Sequence, residues 1–218
     1  MKTSDQRGLI GSVAAYAAFC SLSLLSRFFL PVFLLVVAIG VAFPLVWAKL
    51  TMGWTSIGLT RRNLGQALLW GTGAGLAIML YILLVANFEE GLSFPPMLGL
   101  QLAVGIPIWF LVVSPFQEFF FRGWLQPRFQ GAMGKWAGLV FTSVCFSLWH
   151  FFPPFESTPT STLPVTSFGG VLTTIAFGII WGHTLQRTNN IVAPWISHAL
   201  AGIAVVLTGK MTFIYYTP

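Results

Sequence analysis

Apolar positions in this chain come in long blocks, and polar positions are confined to short breaks between them. Seven apolar runs fall at residues 8–26, 28–48, 65–86, 98–120, 135–152, 167–186 and 191–208. Each is close to the ~20 residues needed to cross ~30 Å of hydrocarbon. Within a bilayer every backbone polar group must be satisfied internally, so the spanning form predicted here is the helix. The expectation is an all-α, polytopic transmembrane bundle of seven spans, or eight if the pair around Arg27 is broken. No soluble domain, linker, low-complexity tract or internal repeat interrupts the pattern. Residues 1–218 therefore read as a single membrane-embedded domain.

Composition agrees. The chain is 56% hydrophobic and 7% charged, with nine tryptophans, and its mean hydropathy is +0.82. Soluble domains lie far from these values. Lys2 and Arg7 precede the first run in the manner of a signal peptide, but no small-x-small cleavage site follows. The first span is expected to remain as a signal anchor. Cys20 and Cys145 lie in different spans and imply no disulfide framework.

The net charge of +6 is more informative by position. Lys2, Arg7, Lys49, Arg61, Arg62, Arg122, Arg128, Lys135 and Arg187 fall in alternate breaks. Glu89, Glu90 and Glu156 fall in the others, with Arg27 and Lys210 as exceptions. The positive-inside rule then puts the N-terminus in the cytoplasm of a bacterial-type plasma membrane, and a site opening toward the cytoplasm is expected. The charges flank spans and form no basic stripe, so no nucleic-acid partner is expected. Residues 50–65 read as an interfacial element at the headgroups. The small residues of "GTGAG", Gly71 to Gly75, read as a close helix-packing face.

Against this background "SPFQEFFFRGWLQPRF", Ser114 to Phe129, stands out. Ionisable groups inside spans are costly, at about 2.5–3.5 kcal/mol each on insertion scales, and they mark function. At ~1.5 Å per residue, Gln117 lies ~16 Å from the end of its helix, His150 ~22 Å and His198 ~14 Å from theirs. Three helices thus bring polar side chains to a comparable layer. Glu118 and Arg122 share a helix face and can pair. Phe146 and His150 share another, as do His198 and Gly202, where the glycine is expected to leave open space beside the ring. His183 reads as a packing residue.

"QEFFFR" (117–122), "FSLWH" (146–150) and "HALAG" (198–202) resemble the three motifs of the CAAX-protease and bacteriocin-processing family of intramembrane glutamic endopeptidases. The flanking "FRGWLQPRF" and "RTNNIVAPWISHAL" resemble it too, and the likeness covers about 100–205. The family patterns are E-E-x-x-x-R, F-x-x-x-H and H-x-x-x-N. The resemblance implies that the position of Gln117, with His150, activates a water, and that His198 stabilises the oxyanion. It also implies that Glu118 and Arg122 shape the site, with Phe146 and Gly202 at supporting positions.

Two departures matter. Gln117 stands where the family has an acid, and an amide barely binds a proton. General-base help is worth about 10²–10⁴-fold in rate. Gly202 stands where the family has an asparagine, and an oxyanion donor is worth about 10²–10³-fold. The function expected is hydrolysis of a peptide bond in a membrane-associated or lipidated protein, by glutamate/histidine-type water activation. The alternative is an inactive scaffold that binds peptides or partner proteins, through natural loss or an introduced substitution. A transporter would also keep acids and histidines in its spans, but the paired broken helices it needs are missing. No H-E-x-x-H or C-x-x-C spacing occurs, so a site without zinc or another cofactor is expected.

Overall fold

A computed structural model describes residues 3–152 and 166–214 of the chain; Glu156 lies outside them. Seven long helices follow one another: α1 Thr3–Leu25, α2 Leu30–Leu50, α3 Leu64–Glu90, α4 Leu98–Met133, α5 Lys135–Trp149, α6 Phe168–Thr188 and α7 Val192–Leu207. They coincide with the seven apolar runs, and the described residues contain no strand. Helices α1, α2, α3, α4 and α6 are long and apolar enough to cross a membrane. The remaining two have 15 and 16 residues, or ~22–24 Å of helix. Leucines and phenylalanines such as Leu69, Phe88, Leu111 and Phe168 cover the exterior, as lipid-facing surface requires. The fold is a polytopic helical membrane bundle.

Close packing of α7 on α3 begins with two glycines. A Cβ on Gly71 would lie 2.6 Å from the Ala193 carbonyl oxygen, and one on Gly75 would lie 2.7 Å from Leu200 Cδ1. Their i,i+4 spacing lets the two backbones approach along one face, while Gly73 faces open space. The short-helix residues 54–57 fold into a 3₁₀ turn, tied to the turn between α6 and α7. Asn190 Nδ2 donates to the carbonyls of Thr60 and Arg62 at 2.9 Å each, and the Ile191 N–H donates to Gly58.

Helix α4 is the irregular one. Two of its turns, Trp109–Val113 and Phe119–Leu125, are widened, with N–H groups reaching back five residues. The first has a covalent cause. The Ser114 N–H is taken by the Trp109 carbonyl, and Pro115 has no N–H to offer, so the Phe110 carbonyl loses its helical donor. The indole of Trp195 on α7 donates to that carbonyl at 2.7 Å. A side chain on one helix thereby repairs the ladder of another, as an apolar surround demands.

Helix α1 clamps α5. The Tyr16 hydroxyl donates to the Cys145 carbonyl at 2.8 Å, and the Trp149 indole donates to Ser23 Oγ at 2.8 Å. Phe19 stacks on Phe120 of α4 with ring centroids 4.1 Å apart. Cys20 and Cys145 are both buried free thiols.

Removing the Trp195 donor tests this account. Trp195→Phe keeps the ring but strands the Phe110 carbonyl, at a cost of ~1–3 kcal/mol. Thermal unfolding in detergent should drop by several degrees, whereas Trp70→Phe, at a half-exposed position, should leave it nearly unchanged.

Candidate functional site

Glu118 lies in the ordinary helical turn between the two widened turns of α4. It is fully buried, as is Arg122 one turn on. Glu118 Oε2 faces Arg122 Nε at 3.5 Å, so the expected i,i+4 pair is present. Arg122 was expected in the polar turn after the fourth span. It instead lies inside the bundle, with its guanidinium 4.9 Å from the centroid of the Phe146 ring. A Cβ on Gly178 of α6 would lie 3.2 Å from Arg122 Nη2, so that glycine makes room for the cation.

The other carboxylate oxygen reaches a different helix. His198 Nδ1 lies 2.7 Å from Glu118 Oε1. A carboxylate only accepts, so Nδ1 carries a proton and donates it to Glu118. Trp181 of α6 stacks on this imidazole at 3.9 Å and 12°. Trp109 of α4 lies at 5.9 Å and 46°. The ring is fixed on one edge by a hydrogen bond and on one face by an indole.

His150 caps α5. Its Nδ1 lies 2.9 Å from the Phe146 carbonyl, which again makes Nδ1 the donor and leaves Nε2 as an acceptor. The Phe146 ring meets His150 edge-on at 4.7 Å and His198 edge-on at 5.9 Å. His150, His198 and Gly202 line one cavity of about 370 Å³. Tyr81, Val85 and Phe177 form part of its apolar wall.

Other sequence-derived candidates fall elsewhere. Gln117 is buried with its side-chain oxygen unpartnered, and neither Gln117 nor Glu118 is among the residues lining the cavity. Glu118 therefore meets the cavity only through its hydrogen bond to His198, which lines it. The open space expected beside Gly202 is filled, because a Cβ there would collide with the Trp109 indole. His183 stands apart, stacked on Trp136 and accepting from Arg187 Nε at 3.3 Å. Among the described residues, no three His, Cys, Asp or Glu side chains converge to hold a metal ion. Trp109 and Trp181 were not singled out from the sequence. No motif spacing marks them, and tryptophan in such a chain normally reads as an interfacial anchor.

Residues 99–204 match the family described as Rce1-like, type II CAAX prenyl endopeptidase. The matched stretch holds all three motifs, which bears out the resemblance to the CAAX-protease and bacteriocin-processing family. No curated protein and no solved structure matches the chain.

The cavity also has a direction. Asn63 bonds to Thr188, Asn190 to Thr60 and Arg62, and Gln186 to the Lys135 carbonyl, so three of the basic breaks gather at one end of the bundle. The cavity extends to the other end, where Glu89, Ser167, Thr208 and Lys210 line it. The expectation of an opening on the side of the basic loops is thus corrected. Span-by-span alternation carries the charge bias but says nothing about which end of the bundle the cavity reaches among the described residues. In a chain with Cys20 and Cys145 replaced by alanine, Thr173→Cys should react with an impermeant maleimide from the side opposite to Arg61→Cys. Reaction of both from one side would contradict this direction.

Proposed function

We propose, on the premise that residues 99–204 form an Rce1-like endopeptidase segment, that the chain hydrolyses a peptide bond in a membrane-associated, lipidated protein. The observation that carries this reading is the buried hydrogen bond from His198 to Glu118, with His198 and His150 lining one cavity. In this reading a water donates one hydrogen to each imidazole Nε2 and points its lone pair at the scissile carbonyl carbon. The proton passes to His198, whose cationic form rests against the Glu118 carboxylate, in the way an acid supports a base in a hydrolytic triad. The water oxygen bonds to the carbonyl carbon, the C–N bond breaks, and the amine leaves with the proton. Arg122 holds the far side of Glu118, and Phe146 fixes the spacing of the two rings.

This reading shifts the general-base function from position 117 to the Glu118–His198 pair. It fits a Gln117 that lies behind the cavity. The apolar wall suits a lipid-modified or hydrophobic peptide. With the basic loops in the cytoplasm of a bacterial-type plasma membrane, the N-terminus is cytoplasmic and the substrate enters from the opposite face.

Mass spectrometry of peptide termini tests it, using membranes that contain the chain, its His150→Ala and Glu118→Gln variants, and Gln117→Glu. The chain as it stands should give cleavage products. Each of the first two variants should lower them by about 10²–10⁴-fold. Products that arise only in Gln117→Glu would instead identify a peptide-binding scaffold without hydrolytic activity.

A further inference from the structure

We propose that the basic end of the bundle carries a site for one anionic phospholipid, with its phosphodiester on Arg187 and Lys135 and an acyl chain between α3 and α6. The site lies apart from the peptidase cavity and does not depend on the reading above.

Its centre is His183, which the reaction leaves unused. Two indoles meet this imidazole: Trp136 of α5 stacks on it at 5.9 Å and 17°, and Trp70 of α3 meets it edge-on at 6.4 Å. A cation stands over each indole. The Arg187 guanidinium lies 5.7 Å from the Trp70 centroid, and Lys135 Nζ lies 5.5 Å from that of Trp136. Both cations are exposed, and neither forms an ion pair among the described residues. Glu89, on the same helix as Trp70, stands ~28 Å further along it. Arg187 donates through Nε to His183 at 3.3 Å. Its two terminal nitrogens make no hydrogen bond among the described residues, and together they form the fork that matches two phosphate oxygens. Two cations drawn to one aromatic cluster suit a single shared anion.

The neighbouring surface selects a lipid over a soluble phosphate. On its lipid side α3 touches α6 at two bridges, Trp70 on His183 and Tyr81 edge-on to Phe177 at 5.7 Å. The bridges stand ~16 Å apart along α3. Between them, the face of α3 that carries both rings offers only Ala74 and Ala77, with Gly73 beside them. A Cβ on Gly73 would meet nothing within 4 Å, whereas Gly71 and Gly75 are pressed against α7. On α6, Ile180 lies between His183 and Phe177 in height and in angle, and it is exposed. The two bridges thus bound a shallow apolar groove that starts at the cations and runs into the membrane. An acyl chain fits such a groove, and a free phosphate would use none of it.

The test is native mass spectrometry of the whole chain in detergent, titrated with phosphatidylglycerol or with phosphatidylcholine of the same chain length. The first phosphatidylglycerol should bind at least about tenfold more tightly, and Arg187→Gln should remove about that factor, as loss of a charge-assisted hydrogen bond does. Gly73→Leu keeps every charge, favours helix and points into open space, so the bundle should hold while the filled groove weakens binding several-fold. Arg61→Gln removes an exposed charge from the same end and should change affinity by less than about threefold. Equal affinity for the two lipids would overturn the proposal. Equal losses in Arg187→Gln and Arg61→Gln would overturn it in favour of diffuse attraction. Unchanged binding by Gly73→Leu, or displacement of the lipid by millimolar inorganic phosphate, would overturn it in favour of a soluble-anion site. None of these readouts depends on peptide cleavage.

Discussion

A carboxylate buried among phenylalanines has to be partnered from close by, and the hydrogen bond between Glu118 and His198 is where this bundle meets that demand. Taking the charge out of water costs several kcal/mol even after relaxation, and removing a partner from a buried pair costs about 3–5 kcal/mol. Glu118 is accordingly held from two sides, at 2.7 Å by an imidazole on α7 and at 3.5 Å by a guanidinium on its own helix. The arrangement binds α4 to α7. Phe146 extends it to α5, because its ring lies under Arg122 and against both histidines. Trp181 extends it to α6 by stacking on His198. Four helices are thus registered at one depth by one buried acid.

Much of this could be read from the sequence, for physical reasons. The bilayer imposes length and hydropathy on every span, so the seven helices followed from apolar runs alone. Ionisable groups are so unfavourable in that setting that Glu118, His150 and His198 stood out, and their motifs named the family that the 99–204 match bears out. What escaped depended on relations between helices. The burial of Arg122 needs the room left by Gly178 on α6. The direction of the cavity depends on how far the helices fill each end. The Trp109 indole sits in room left by a glycine more than ninety residues away in the chain. A tryptophan carries no one-dimensional mark that distinguishes an anchor in the headgroups from a ring packed on a buried imidazole.

The irregular turns of α4 follow the same logic as its acid. Proline at 115 removes a backbone donor, and the Trp195 indole supplies a replacement for the Phe110 carbonyl. The helix can then widen without leaving a polar group bare in hydrocarbon. Widened turns of this kind concentrate at functional sites. Here the two of them flank the turn that holds Gln117 and Glu118.

The cavity is assembled from two sources. Its imidazoles stand on α5 and α7, within the segment that matches the family, while Tyr81, Ile82, Val85 and Ala86 of its wall belong to α3, outside that segment. The groups that would act on a bond thus lie within the matched segment, while one part of the wall that would grip the chain bearing it comes from outside. Drift along one face of α3 can reshape what is accepted while the buried acid and its partners stay as they are. A lineage with this architecture can change its clientele without touching its chemistry.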